Sequence, residues 1–196
     1  MGSRSFVMQK FKQNTLGIVL AGGASFRMHK NKANMVFAGK KLLTHALICL
    51  KKTGLENVCT SGNFTNVQYV VDIIPNLGPV GGIYSVIMHP LYANFRFFLI
   101  IPVDMPLLMP MLLERLFVNI LTAQAVFYEN TLFPLLLKKS SILIQIIEAL
   151  LKKGGYNCSI RDLLSQLSFE TIPILKEEKK YFINTNTIES WEHLSK

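Results

Sequence analysis

The sequence has few cysteines, and they lack the spacing of a disulfide framework or a zinc site. Only three of the 196 residues are cysteines, and they stand far apart at positions 49, 59 and 158. An odd number of separated thiols argues against both kinds of site and is compatible with a reducing, cytoplasmic environment. We therefore expect a chain of this length to be held by one hydrophobic core.

The sequence also lacks an uninterrupted apolar segment long enough for a transmembrane helix. Its most apolar stretch, FFLIIPVDMPLLMPMLL (97–113), contains Asp104 and prolines at 102, 106 and 110. A spanning helix needs about 20 apolar residues without such breaks. The basic opening MGSRSFVMQKFKQN is not followed by the apolar segment and cleavage site of a signal peptide. We expect no membrane contact, and a flexible N-terminal segment over 1–14.

Acidic residues are scarce relative to basic ones. The chain has 12 Asp and Glu against 21 Lys and Arg, a formal net charge of +9, so its surface attracts anions. The basic residues form short pairs rather than a long block, and aromatic residues do not alternate with them. A small phosphorylated substrate therefore fits the sequence at least as well as nucleic acid, whose binding would be salt-sensitive.

Strand-like and helix-like segments alternate along most of the chain. TLGIVLAGG indicates a buried strand that ends in a glycine turn, and FRFFLIIPVDMP is typical of a central strand buried on both faces. We expect a further strand over 67–74, a turn feeding a helix at GPVGGIYSVIMHP, a helix over 141–153 and a final helix after INTN. This alternation predicts an α/β sandwich around a mostly parallel sheet, with a single domain over 15–196.

The polar residues and glycines collect where predicted strands end. These positions are the glycine loop after the first strand, SGN after the second, Asp72 after the third and Asp104 after the central strand. Ligands bind at the carboxyl ends of the strands in such sheets. Asp104 is either a turn or helix N-cap residue or a Mg²⁺ ligand that acts together with substrate phosphates. Asp72 is either a second carboxylate for the same metal or a strand-end aspartate.

The glycine loop LAGGASFRMHKNKA (20–33) matches neither the GxGxxG dinucleotide fingerprint nor the P-loop pattern. Two alternatives stay open for it. It is either a solvated turn or a loop whose backbone N–H groups surround phosphate oxygens, with Arg27 and Lys32 supplying positive charge. No Ser/His/Asp or Cys/His arrangement indicates a protein nucleophile.

Four motifs in order resemble those of the molybdenum cofactor guanylyltransferases. They read LAGGASFRMHKNKA, GPVGGI, PVDMP and INTNTIE, and the resemblance runs from about residue 16 to the end of the chain. It implies a Rossmann-like three-layer α/β/α sandwich of the nucleotide-diphospho-sugar transferase kind. It also implies transfer of GMP from GTP to molybdenum-bound molybdopterin with release of pyrophosphate, using Mg²⁺ or Mn²⁺. Related cytidylyl- or sugar-phosphate nucleotidyltransferases, and non-catalytic nucleotide- or pterin-binding relatives, are the alternatives.

The same resemblance implies a role for each matching residue. Lys32, Asp104 and Arg27 would act in catalysis, and Asp104 would hold the metal. Asn184 and Asn186 would face the pterin. The residues implied in nucleotide binding are Leu20, Ala21, Gly22, Gly23, Lys32, Ser61, Asp72 and Asp104.

The resemblance further implies the partners and location of the protein. We expect a cytoplasmic monomer that binds GTP and molybdopterin and makes transient contacts with molybdenum-insertion proteins or apo-molybdoenzymes. Four positions depart from the family pattern. His29, Asn31, Ser61 and Ile188 stand where glycine, aspartate, asparagine and proline are usual, and Ser61 would lie near the guanine.

Overall fold

The computed structural model describes residues 2–22, 32–62, 67–74, 77–154 and 158–185. Its strands are β1 (Thr15–Leu20), β2 (Val36–Phe37), β3 (Lys40–Lys41), β4 (Val58–Ser61), β5 (Tyr69–Val70), β6 (Phe97–Pro102), β7 (Ala125–Tyr128), β8 (Leu135–Lys138) and β9 (Phe169–Ile172). Its α-helices are α1 (Gly2–Gln13), α2 (Leu42–Lys52), α3 (Gly78–Met88), α4 (Pro110–Leu116), α5 (Ser141–Lys153) and α6 (Ile160–Leu164). Short 3₁₀ helices cover Lys32–Asn34, Pro90–Tyr92 and Lys176–Phe182.

A seven-stranded sheet in the order β5-β4-β1-β6-β8-β7-β9 forms the centre of the structure. The pairings β5–β4, β4–β1, β1–β6 and β7–β9 are parallel, whereas β8 runs antiparallel to both β6 and β7. All six residues of β1 are buried, and so are the first five of β6. The predicted mostly parallel sheet with continuous apolar central strands is therefore confirmed.

Side chains of the sheet alternate between two hydrophobic cores, because successive residues of a strand point to opposite faces. Leu16 and Ile18 of β1 pack with α3, α5 and α6 on one face, while Val19 packs with α2 and α4 on the other. The helices thus cover both faces, and the predicted three-layer α/β/α sandwich is confirmed. Within the described ranges, the helices lack the combined length and apolarity that crossing a membrane requires.

The N-terminal residues form a helix where the sequence predicts a flexible segment over 1–14. Contacts distant in sequence hold α1 in place: the Phe11 ring packs against Phe97 with centroids 5.1 Å apart, and Lys12 Nζ donates to Glu114 Oε1 at 2.8 Å. The Thr15 hydroxyl donates to the Phe11 carbonyl at 2.7 Å. These tertiary contacts stabilise a helix that is too short to be stable alone, and the local sequence does not reveal them. This explains why a helix forms where the sequence predicts a flexible segment.

Two further segments differ from the sequence-based prediction, and a third lies outside the residues that the structure describes. The strand predicted over 67–74 shortens to β5 at the edge of the sheet, because the Ile73 N–H donates to Ser85 Oγ on α3 rather than continuing the ladder. The glycines of GPVGG lie inside α3 instead of in a turn before it. The final helix expected after INTN falls outside the described residues. The helix over 141–153 is confirmed as α5.

An ion pair holds the Lys176–Phe182 helix, which the sequence does not predict, against α4. The Arg115 guanidinium donates to both carboxylate oxygens of Glu178, at 2.7 and 3.1 Å. The Leu175 N–H adds a third bond to the same carboxylate at 3.2 Å. The Glu178 side chain is only 5% exposed. Hydrogen bonds from Arg115 lower the pKa of Glu178, so this carboxylate stays charged in the folded protein.

We expect Glu178→Gln to lower the free energy of unfolding at neutral pH by about 1–3 kcal/mol, since it removes charge-assisted bonds from a buried site. Because the folded pKa of Glu178 lies below its unfolded value, the ionised form stabilises the protein above the unfolded pKa of about 4.3, and this contribution is lost as pH falls through the folded pKa. Urea denaturation at two pH values, one neutral and one in the acid range where the carboxylate is protonated, measures the difference. The exposed neighbour Glu177→Gln is the matched control. An equal loss at both pH values would contradict the ion-pair explanation.

Candidate functional site

The register of the parallel strands places four strand ends in one row. Leu20 pairs with Ser61 on one side and with Pro102 on the other, and Ser61 pairs with Val70. The residues that follow these strands therefore emerge at the same edge of the sheet. The start of the glycine loop, the start of the SGN turn, Asp72 and Asp104 therefore lie along one edge, as expected, although they come from four separate parts of the chain.

On the β6 side of this edge, Lys32 and Asp104 form an ion pair. Lys32 Nζ lies 3.1 Å from Asp104 Oδ2, and the two side chains are 19% and 15% exposed. Partial burial strengthens the attraction between the charges relative to a surface pair. Met109 is the N-cap residue of α4, so Asp104 does not cap the helix that follows it. The N-cap interpretation of Asp104 is therefore wrong.

Thr185 connects the segment around Asn184, part of the INTN motif, to the turn that contains Asp104. Its N–H donates to the Asp104 carbonyl at 2.8 Å and its hydroxyl donates to the same oxygen at 3.3 Å. Thr185 is fully buried, whereas the adjacent Asn184 is exposed. Sequence reasoning missed Thr185, although the threonine within INTN was the available signal. Asn186 lies outside the described residues.

On the β4 side, Ser61 and Asp72 form a second pair. Ser61 Oγ donates to Asp72 Oδ1 at 3.2 Å. Burial raises the pKa of Asp72, and the hydrogen bond from Ser61 opposes this shift. Ser61 is 2% exposed, whereas Asp72 is half-buried. Of the two side chains, the carboxylate is therefore the one with surface to offer a ligand.

Gly82, the last glycine of GPVGG, lets α3 approach Ser61. A Cβ built on Gly82 would collide with Ser61 Oγ and lie 3.5 Å from Asp72 Oδ1. The group that the missing side chain of Gly82 admits is therefore the Ser61 hydroxyl. Any larger residue at position 82 would push Ser61, α3 or both out of place.

The glycine loop is braced by β4 rather than left open at its start. The N–H groups of Ala21 and Gly22 both donate to the Ser61 carbonyl, at 3.2 and 2.9 Å, and the Leu20 carbonyl accepts from the Val103 N–H at 3.1 Å. These two amides therefore hold strands together, and the expectation that they surround phosphate oxygens needs correction. Gly23, Arg27, His29 and Asn31 lie outside the described residues.

The two pairs lie apart along the edge, with the end of β1 between them. Asp72 follows β5 and Asp104 follows β6, and these strands are three spacings apart in the sheet, or about 14 Å. Asp72 is hydrogen-bonded to Ser61 on the β4 side, whereas Asp104 is paired with Lys32 on the β6 side. In the part of the chain that the structure describes, no group of three or more His, Cys, Asp or Glu could hold a metal ion.

A single carboxylate is nevertheless compatible with one kind of metal site. Mg²⁺ is commonly held by one or two carboxylates together with substrate phosphates, rather than by a complete cage of protein ligands. Asp104 supplies such a carboxylate, and Lys32 adds positive charge beside it. The fold and this edge together define an α/β protein of the class in which ligands bind at the carboxyl ends of parallel strands.

Comparison with known proteins gives the family. The sequence profile described as the MobA-like NTP transferase domain matches residues 17–170. The chain is 33% identical over 178 residues to a molybdenum cofactor guanylyltransferase of Xanthomonas euvesicatoria pv. vesicatoria, covering 91% of this chain and 93% of the relative. A probable molybdenum cofactor guanylyltransferase of Flavobacterium johnsoniae is 25% identical, with 90% and 94% covered. The chain belongs to the MobA-like NTP transferase family.

Solved structures share the fold. Molybdopterin-guanine dinucleotide biosynthesis protein A of Archaeoglobus fulgidus superposes with a TM-score of 0.71 at 20% identity, covering 92% of this chain and 96% of that one. The 4-diphosphocytidyl-2C-methyl-D-erythritol synthase of Anaerococcus prevotii gives a TM-score of 0.67 at 10% identity, with 94% and 97% covered. At these identities the likeness shows that the sandwich is the nucleotidyltransferase fold, as expected.

We expect Gly82→Ala to lower the free energy of unfolding by about 1–3 kcal/mol, because the new methyl group overlaps Ser61 Oγ. In a Ser61→Ala background the same substitution should cost much less, since the atom that it meets is gone. Thermal and urea denaturation of the four proteins in this double-mutant cycle measure the coupling. Equal costs in the two backgrounds would show that Ser61 is not the constraint on Gly82.

Proposed function

We propose that this protein transfers a GMP group from GTP to the terminal phosphate of molybdenum-bound molybdopterin and releases pyrophosphate, forming the guanine dinucleotide form of the molybdenum cofactor. The observation that carries the proposal is the Lys32–Asp104 pair at the carboxyl end of the central strands. It combines a carboxylate and an ammonium group at the edge where such sheets bind nucleotides. The names of the full-length relatives add the identity of the two substrates.

The reaction requires positioning and charge neutralisation more than acid–base chemistry. An oxygen of the molybdopterin phosphate attacks the α-phosphorus of GTP and forms a new P–O bond. The bond from that phosphorus to the bridging oxygen breaks, and its electron pair leaves with pyrophosphate. Negative charge therefore accumulates on the departing group, where fixed positive charges stabilise it.

No protein nucleophile is needed for this displacement, and the cysteines are poorly suited to supply one. All three are buried, and burial raises the pKa of Cys49 and of Cys59 to about 12. Their thiols stay protonated near neutral pH, whereas the thiolate is the nucleophilic form. These protonated thiols agree with a direct transfer from GTP to the pterin phosphate, without a covalent intermediate on a cysteine.

Lys32 and Asp104 have complementary tasks in the proposal. Asp104 would hold Mg²⁺, or Mn²⁺ in its place, and the bound ion would supply charge neutralisation on the triphosphate. Lys32, whose Nζ lies 3.1 Å from the Asp104 carboxylate, donates to phosphate oxygens next to that position. Arg27 adds a second positive charge for the departing pyrophosphate.

The remaining assignments divide the edge between the two substrates. Ser61 and Asp72 belong to the nucleobase side, and Asn184 and Asn186 belong to the pterin side. Support for the pterin side comes from Thr185, which ties this segment to the Asp104 turn. We propose that Leu20, Ala21, Gly22 and Gly23 line the nucleotide by close approach of their backbone, without using the Ala21 and Gly22 amides, which donate to the Ser61 carbonyl. We further propose that the protein acts in the cytoplasm as a monomer and meets molybdenum-insertion proteins or apo-molybdoenzymes transiently.

Pyrophosphate release tests the function directly. The purified protein is incubated with GTP, CTP or UTP and Mg²⁺ or Mn²⁺, each with and without molybdenum-loaded molybdopterin. Release that requires both GTP and the pterin is the expected result. Release with CTP or UTP instead would favour a cytidylyl- or sugar-phosphate nucleotidyltransferase. Binding of GTP without any release would indicate a non-catalytic relative.

Asp104→Asn should reduce pyrophosphate release by about 10²-fold or more, because a neutral amide replaces the carboxylate that would hold the metal. Thermal denaturation checks that the variant folds. Glu56→Gln is the matched control, since Glu56 is an exposed acidic residue before β4, at the opposite edge of the sheet. Turnover like that of the wild type in Asp104→Asn would remove Asp104 from the mechanism.

Lys32→Met should weaken GTP binding about 10- to 150-fold, since one set of charge-assisted contacts to phosphate contributes roughly 1.5–3 kcal/mol. Titration calorimetry with GTP and Mg²⁺ measures the affinity. Lys51→Met, on the exposed end of α2, removes the same charge away from the site and serves as the control. If both variants bind GTP like the wild type, Lys32 does not contact the nucleotide.

A further inference from the structure

Ser61 has no group free to read a nucleobase in the way that an exposed polar residue does. Its hydroxyl donates to Asp72 Oδ1 at 3.2 Å. Its carbonyl accepts from the N–H groups of Ala21 and Gly22. Its side chain packs against Gly82 and the residue is 2% exposed. The contacts of Ser61 are therefore with the protein, and any influence on a ligand passes through a neighbour.

We infer that Ser61 is a positioning residue, which holds the Asp72 carboxylate in the orientation that accepts the N1–H and 2-amino hydrogens of guanine. This inference rests on the proposed function, since it takes the nucleotide to be GTP. Guanine presents two adjacent donors on one edge, and an ionised carboxylate, which only accepts hydrogen bonds, is complementary to such a pair.

Asp72 is held from two directions. Its side chain receives the Ser61 hydrogen bond. Its backbone is pinned through the next residue, because the Ile73 N–H donates to Ser85 Oγ at 2.8 Å, and Ser85 Oγ donates to the Gly81 carbonyl at 2.8 Å. Both attachments lead to buried elements, β4 and α3. A side chain fixed in this way loses little conformational freedom when a ligand binds.

The hydroxyl of Ser61 also favours the form of Asp72 that the chemistry needs. Burial raises the pKa of Asp72, whereas the Ser61 bond lowers it. A protonated carboxyl would place a donor where guanine also has donors. Gly82 belongs to the same arrangement, because its missing side chain gives the Ser61 hydroxyl its place between α3 and Asp72.

The test compares GTP with ITP, which lacks the 2-amino group. Titration calorimetry with Mg²⁺ measures both affinities for the wild type, Ser61→Ala, Gly82→Ala and Asp72→Asn. The wild type should prefer GTP, and Asp72→Asn should abolish that preference. In Ser61→Ala and in Gly82→Ala the ratio of GTP to ITP affinity should fall about 5- to 10-fold, because the carboxylate is no longer held.

Thr60→Val is the matched control, since it removes the neighbouring hydroxyl of the same strand, which donates to the Gln68 carbonyl at 3.3 Å. It disturbs the β4–β5 edge without touching Asp72, so it should leave the ratio unchanged. Thermal denaturation checks that each variant folds. Ser61→Ala removes the hydroxyl and Gly82→Ala displaces it, so the two variants test the same group in different ways.

The possible failures are distinguishable. An unchanged GTP/ITP ratio in Ser61→Ala, with a reduced one in Asp72→Asn, would overturn the positioning role alone. A ratio that Asp72→Asn also leaves unchanged would overturn base reading by this pair. A similar fall in the GTP/ITP ratio in Thr60→Val would show that the ratio responds to loosening of β4, and would overturn the positioning role of Ser61. If the wild type binds CTP or UTP more tightly than GTP, the proposed function itself fails.

Discussion

The parallel register of β5, β4, β1 and β6 is the constraint on which the site depends. It aligns Val70, Ser61, Leu20 and Pro102 in one row, so four chain segments turn away from the sheet at the same level. The Ser61 carbonyl reinforces this row by accepting from two amides of the segment that leaves β1. A slip of one residue in any pairing would reverse the faces of a buried strand, and the two cores oppose it.

In the proposed function, two chemical tasks are separated along this row. The Lys32–Asp104 pair supplies charge on the β6 side, where phosphates and metal would meet. The Ser61–Asp72 pair supplies a fixed acceptor on the β4 side, where a nucleobase would lie. Ala21 and Gly22, which follow β1 between the two pairs, carry little side-chain bulk, as a nucleotide that reaches both pairs would require. Lys32 and Asp104 are 72 residues apart in the chain, whereas Ser61 and Asp72 are 11 residues apart and follow neighbouring strands.

The parts of the fold with strong local patterns were predictable, and the parts held by distant contacts were not. The apolar runs of β1 and β6 and the helical spacing of α5 identify these elements. By contrast, α1 depends on Phe97 and Glu114, and the helix over Lys176–Phe182 depends on Arg115. In the site, Lys32, Ser61, Asp72 and Asp104 were found as candidates. Their division into two pairs was not, because it follows from strand order, which motifs do not contain.

The hydrogen bonds between Thr185 and the Asp104 carbonyl also have a consequence for the order in which this chain folds during its own synthesis. The residues that they join are 81 positions apart, so Asp104 leaves the ribosome long before its partner does. The sheet can form around β1 and β6 while the turn after β6 still lacks this support. This edge of the sheet is thus completed late, when the segment proposed to face the pterin has been synthesised. In a newly made chain, the segment proposed to face the pterin and the turn that contains Asp104 would reach their final positions together.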